Sequence, residues 1–133
     1  KKINKEKKGI IVRSPLNSGL LSGKINLKTK FHKLDERSKY FPQEDFNKKI
    51  DKIKNIKKIL KINNKDLLKF SLDFILTNRL ISTVLVGCSS LKQLKEIIYY
   101  QSNTNYLSQK IYKKALSCSI KLSKKYKTID QLL

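Results

Sequence analysis

Residues 9–24 read GIIVRSPLNSGLLSGK, and this stretch decides what kind of fold the chain builds. Ile10, Ile11 and Val12 are β-branched and run without polar alternation, which predicts a short strand, Gly9–Arg13, buried on both faces. Ser14-Pro15 ends it, because proline has no N–H to give to a ladder. The chain holds only four glycines and two prolines, yet Pro15, Gly19 and Gly23 all fall just after this strand. A solvated basic tail has no use for such placement. A loop that must bring its backbone close to something does.

Upstream, KKINKEKK at residues 1–8 reads as the end of a polar helix with Gly9 as its C′ residue, so the chain is expected to start in mid-helix. Downstream, residues 25–43 lack periodicity and read as an irregular loop ending at Phe41-Pro42. From Glu44, Phe46, Ile50, Ile53, Ile56 and Leu60 recur every three or four positions, with Lys48, Lys52 and Lys58 on the opposite face of an amphipathic helix. Asn63-Asn64 then caps a second helix, Asp66 to Leu76, apolar on most of its circumference. Ile81–Gly87 reads as a second buried strand. Ser90 and Gln93 have the capping-box spacing for a helix whose inner face is Leu91, Leu94, Ile97 and Ile98. A last helical pattern spans residues 108–126, with Ile111, Ala115, Leu116 and Ile120. Strands alternating with helices indicate an α/β fold of parallel βα units. Two strands alone cannot make a sheet covered on both faces, so the chain is expected to be part of a larger fold.

Composition bounds the function. The chain has 133 residues, 39% of them hydrophobic, and a formal net charge of +21. Such a charge suits a nucleic-acid partner. Here, however, it is almost all lysine, with arginine only at positions 13, 37 and 79. Base and phosphate readers lean on the arginine fork. The lysines are also spread along the chain among many Asn, Ile and Tyr, as codon drift in an AT-rich genome would place them on a surface. Cys88, Cys118 and His32 form no metal pattern, and a reducing cytoplasm suits them. No run approaches the roughly 20 apolar residues of a membrane span.

In βα folds, sites lie at the carboxyl ends of strands. Both strands end in loops rich in small residues, Ser14 to Gly19 and Gly87 to Ser90, and the second loop feeds a helix N-terminus suited to an anion. Neither loop matches the P-loop or the Rossmann glycine pattern.

GIIVRSPLNSGLLSGK and, some sixty residues later, ISTVLVGCSSLKQLKEI, with the buried helix LLKFSLDFIL between them, resemble the C-terminal quarter of an aldo/keto reductase. The resemblance spans about residues 5–110. It implies the C-terminal part of a (β/α)8 TIM barrel, with residues 1–101 forming the seventh and eighth βα units and residues 102–133 a helical tail. It further implies an NAD(P)H-dependent oxidoreductase that reduces aldehydes or ketones. Ser14, Pro15, Leu16, Asn17, Ser18 and Gly19 match the loop against the cofactor's pyrophosphate, and Lys24 matches a lysine that reaches its phosphates. Arg37 matches an arginine near the adenosine end. Gly87, Ser89, Gln93 and Glu96 match the motif that holds adenosine and its 2′-phosphate, so NADP(H) is the expected cofactor, with NAD(H) as the alternative.

Three positions depart from the family pattern. Arg13 precedes the Ser-Pro where an aromatic residue is common. Ile97 replaces an asparagine that meets adenine, and Ser89 stands where some members carry a basic residue. The family's Asp, Tyr, Lys and His tetrad has no counterpart here, and Tyr40, His32 and Lys33 match no part of it. The expected partners are therefore a small carbonyl substrate and the N-terminal remainder of the barrel, with no membrane and no nucleic acid. The alternatives are a non-catalytic barrel that serves as an interaction protein, or a lysine-rich nucleic-acid-binding protein.

Overall fold

A computed structural model describes residues 8–126. The helix expected over residues 1–8, but for Lys8, and the end of the expected tail, residues 127–133, lie outside them. The element order is β1 (Ile11–Arg13), a 3₁₀ turn (Leu20–Ser22), α1 (Arg37–Tyr40), α2 (Gln43–Leu60), α3 (Asn64–Leu76), β2 (Thr83–Leu85), α4 (Leu91–Ser102) and α5 (Gln109–Tyr126). The two strands pair in parallel, with Ile11 opposite Thr83, Val12 opposite Val84 and Arg13 opposite Leu85. Just before the pair, Ser82 N donates to Ile10 O at 2.9 Å, and Ile10 N donates to Ser82 Oγ at 3.1 Å.

Both strands are shorter than their apolar runs, and neither is buried. Ile11 is 63% exposed and Leu85 58%. The β-branched pattern reports what a strand is suited to pack against. Among the described residues a two-stranded sheet leaves both outer edges and much of each face uncovered.

The core lies instead between the loops and the helices. Glu44 and Asp45 open α2 and Lys57 and Lys58 close it, each pair complementing the helix dipole. The apolar stripe of α2 places Phe46 and Ile50 against Leu20 of the 3₁₀ turn, with Ile25, Phe31, Phe41 and Ile53 packed around them. Phe31 meets Phe46 edge to face at 5.8 Å, and Phe41 completes the trio at 5.9 Å from each ring. The stretch read as irregular, residues 25–43, is thus pinned to α2 by aromatics and contains the single turn of α1.

Helix α3 buries Leu67, Leu68 and Leu72 together with two polar residues, Ser71 and Asp73. Ser71 Oγ donates to Leu67 O. Asp73 accepts from Lys69 Nζ at 2.6 Å and from Asn105 N at 3.3 Å, which ties the α4–α5 connection to α3. Thr77 Oγ1 accepts from Leu107 N nearby, and Phe74 stacks on Tyr112 at 5.0 Å.

Helix α5 packs along α2 with Ala115, Cys118 and Leu122 buried, while Ile111 and Ile120 of its apolar pattern are exposed. Lys52, only 3% exposed, lies on the same side, its Nζ donating to Ser123 Oγ at 2.8 Å. Burial pushes its amine down to about 8, nearby Lys49 acting in the same direction. Helix α4 departs furthest from expectation. It buries none of its residues, and Leu91, Leu94 and Ile98 of the expected inner face are exposed.

Candidate functional site

The loop after β1 holds a tight series of left-handed residues: Ser14 (φ 55°), Asn17 (46°), Ser18 (53°), Gly19 (91°) and, after the 3₁₀ turn, Gly23 (76°). Non-glycine residues adopt this region at a cost, so something must hold them there. Backbone hydrogen bonds do so in part, from Asn17 N to Ser14 O, Gly19 N to Leu16 O, Leu21 N to Leu16 O and Ser22 N to Gly19 O, all at 3.0–3.1 Å. Burial of Pro15 and Leu20 does the rest. Gly23 is needed on two counts, since a Cβ there would lie 1.9 Å from Asn64 O at the start of α3.

The loop after β2 is open. Gly87, Cys88, Ser89 and Ser90 are exposed, and a Cβ on Gly87 would meet nothing within 4 Å. Ser90 Oγ accepts from Gln93 N at 3.3 Å and caps α4, as its spacing predicts. The reciprocal arm of the box is displaced by one residue. Gln93 Oε1 accepts from Ser89 N at 2.8 Å and from Ser89 Oγ at 3.2 Å, so these two expected ligand residues hold each other.

Between the two loops lies a cleft of about 480 Å³. Of the residues singled out from the sequence, Ser14, Pro15, Leu16, Ser18, Gly19, Lys24, Arg37, Gly87, Ser89, Gln93 and Glu96 all line it. Asn17 does not, and faces a smaller apolar cavity against α2 and α3. Sequence reasoning missed several other lining residues, Ser22, Leu68 and Cys88 among them. Ile97, the departure from the family pattern, also lines the cleft.

Two cations reach the cleft, and each has a carboxylate. Lys24 Nζ meets Glu96 Oε2 at 2.5 Å across 72 residues of sequence, joining the first loop to α4. Arg37 is held by Asp35, with Nε 2.9 Å from Oδ1 and Nη2 2.6 Å from Oδ2. The backbone N of Arg37 also donates to Asp35 Oδ1 at 2.9 Å. These Arg37 bonds hold the Asp35 carboxyl down at about 2, and Asp35 in turn raises Arg37. Asp35 was not singled out from the sequence, although an aspartate that accepts from the N–H two residues on is a known turn former. Chemically, the cleft offers hydroxyls, amides and two paired cations on a largely preformed wall, a set suited to a phosphate-bearing ligand. Among the described residues no group of His, Cys, Asp and Glu is placed to hold a metal, and no helix is long and apolar enough to cross a membrane.

Comparison with known proteins bears on this geometry. No curated protein and no solved structure matches the chain. The model of the Aldo/keto reductase family matches residues 1–120, a span that takes in both strand-end loops and every residue of the cleft. A match over most of the chain settles the family: this chain belongs to the aldo/keto reductases, a family of oxidoreductases.

Proposed function

We propose that the protein is an NAD(P)H-dependent reductase of aldehydes or ketones, and that this chain supplies the seventh and eighth βα units of its barrel, the part that holds the cofactor. The observation that carries this reading is the cleft itself. Residues 14–24 and 87–96, far apart in sequence, meet at the carboxyl ends of two paired parallel strands, with eleven of the twelve expected cofactor residues lining one 480 Å³ space.

The residues present fit a dinucleotide. Gly19 and the open space at Gly87 allow close approach of a ligand. Ser14, Ser18 and Ser89 bring hydroxyls, while Lys24 and Arg37 bring charge for phosphates. Gln93 and Glu96 bring an amide and a carboxylate for the adenine edge. When bound, the reduced nicotinamide supplies the hydride. This chain's residues bind and orient: the first loop faces the pyrophosphate, and Ser89, Gln93 and Glu96 hold the adenosine end. Because Ser89 and Gln93 bond each other, and Lys24 bonds Glu96, binding exchanges these internal hydrogen bonds for bonds to the ligand. With no basic residue at Ser89, the 2′-phosphate depends on Lys24 and Arg37, so NADP(H) is favoured over NAD(H) only through them. The Asp, Tyr, Lys and His tetrad and the carbonyl pocket belong to the remaining βα units, which would pair with the uncovered edges of β1 and β2, and the cytoplasm is the proposed compartment.

Fluorescence titration of the protein with NADPH tests this reading. We expect saturable binding, weakened in Lys24→Ala by about 1–2 kcal/mol for the loss of a charge-assisted bond. Absence of binding in a folded protein would overturn it. Turnover of a small aldehyde then separates an active reductase from a silent barrel.

A further inference from the structure

The two cations of the cleft are paired differently. The partner of Lys24, Glu96, is itself a wall of the cleft, so a ligand phosphate there meets both the ammonium and the carboxylate. The partner of Arg37, Asp35, is not among the lining residues, whereas Arg37 is. The carboxylate therefore stands behind the guanidinium as a ligand would see it. It occupies one edge of the fork, Nε at 2.9 and 3.1 Å and Nη2 at 2.6 Å. One face of the guanidinium is also taken, since Arg37 Cζ lies 4.8 Å from the centroid of the Phe31 ring. Phe31 in turn rests on the core around Leu20, Phe46 and Ile50. The nitrogen that Asp35 does not use, Nη1, lies against the turn at Gly19, 3.5 Å from where a Cβ would stand.

We propose that Asp35 is a positioning residue for the cofactor cleft: it fixes the Arg37 guanidinium so that Nη1 is presented beside the Gly19 turn to a phosphate of the bound dinucleotide. The inference rests on the dinucleotide reading above and adds to it a residue that never touches the ligand. Arginine binds phosphate best when its planar fork is already oriented, because a long free side chain must otherwise lose its rotamer freedom on binding. Asp35 supplies that order through three hydrogen bonds from the guanidinium to its carboxylate, and Oδ1 also accepts from the backbone N of Arg37, which fixes the turn that carries the side chain. It leaves the charge of Arg37 facing the cleft, which Glu96 does not do for Lys24. By this reasoning Arg37, rather than Lys24, is the main phosphate contact of the site.

The test is calorimetric titration of the protein and of Asp35→Asn, Asp35→Glu, Arg37→Met and the Asp35→Asn/Arg37→Met double variant, each with NADPH and with NADH. Asn retains an acceptor for the Arg37 backbone N–H while removing the charge pair. We expect Asp35→Asn to bind NADPH about 5- to 10-fold more weakly, consistent with loss of an oriented charge-assisted contact. The double variant should be no weaker than Arg37→Met, since Asp35 acts only through Arg37. Asp35→Glu should recover part of the loss, which a mere loop-folding role would not produce. A loss confined to NADPH would place Nη1 at the 2′-phosphate, and an equal loss for NADH would place it at the pyrophosphate; either supports the proposal. Unchanged affinity in Asp35→Asn, or losses that multiply in the double variant, would overturn it while leaving the cofactor reading intact. Failure of the unmodified, cooperatively melting protein to bind either dinucleotide would remove the cofactor reading, and this inference with it.

Discussion

The loop that follows β1 is built into the core, whereas the loop that follows β2 stands on the surface. The first spends conformational energy on three left-handed non-glycine residues and recovers it by burying Pro15 and Leu20 and by docking Gly23 on α3. The second holds its shape with a few hydrogen bonds around Ser89, Ser90 and Gln93 and buries nothing. One cleft thus has one wall set by tertiary packing and one wall set by a helix cap. The packed wall is held by the core and by its own backbone hydrogen bonds. The capped wall is held by a few hydrogen bonds among exposed residues.

The sharpest way to break this contrast is Gly23→Ala. The added methyl would overlap Asn64 O and its carbonyl carbon, on a residue whose φ of 76° an L side chain already resists. Overpacking and left-handed strain together cost about 4 kcal/mol. We expect a large fall in the unfolding midpoint in denaturant and loss of dinucleotide binding. Gly87→Ala should change the midpoint little, since φ there is ordinary and its surroundings are open. Equal effects at the two glycines would remove the distinction between the loops.

A second comparison uses leucines. Leu20, 1% exposed, sits at the centre of the core, and Leu94, 42% exposed, lies on α4. Leu20→Ala should cost about 3 kcal/mol, transfer and cavity terms combined, and Leu94→Ala within about 0.5 kcal/mol. Chemical denaturation measures both. A Leu94 effect comparable with that of Leu20 would show that α4 is packed in solution against something the described residues do not include.

These contrasts also mark how far the residues alone could be read. The stripes of α2 and α3 were legible because a period of three to four residues directly names a buried face, except that Lys52, expected on the opposite face of α2, is buried. The place of the cleft was legible because sites of βα folds lie at the carboxyl ends of strands, whereas Lys24, Arg37 and Glu96 followed only from the family resemblance. The buried strands and the inner face of α4 were misread for one reason: apolar sequence states a need for cover, and β1, β2 and α4 are the elements the described chain leaves uncovered. In α5 Ile111 and Ile120 are exposed while Ala115, Cys118 and Leu122 are buried, so the buried stripe is rotated from the one its largest residues suggest. The pairings that shape the cleft left the weakest trace. Lys24 and Glu96 are 72 residues apart, and nothing local to either names the other. Asp35 and Arg37 are two apart, a spacing that many loops share.

The packed half extends to α2 and α5, where Lys52 offers the finest test. Its amine is drawn down to about 8 from an ordinary 10.5, chiefly by burial. The unfolded chain therefore holds this proton more firmly than the folded one between pH 8 and 10.5. Stability rises with pH across that window, and below pH 8 the whole penalty stands. Lys52→Met keeps the length of the side chain and removes the charge, at the loss of the bond to Ser123 Oγ. Burial disfavours the charged form of this amine, and an apolar side chain of similar volume carries no such cost. We therefore expect the variant to match or exceed the parent by about 1 kcal/mol at pH 7, with the advantage shrinking toward pH 10.5. Paired melts at the two pH values measure the difference, in which titration of all other lysines cancels. A variant weakened at pH 7 as much as Leu20→Ala would mean that Lys52 holds α2 to α5 by its polar contacts, and that the packed half is not apolar throughout.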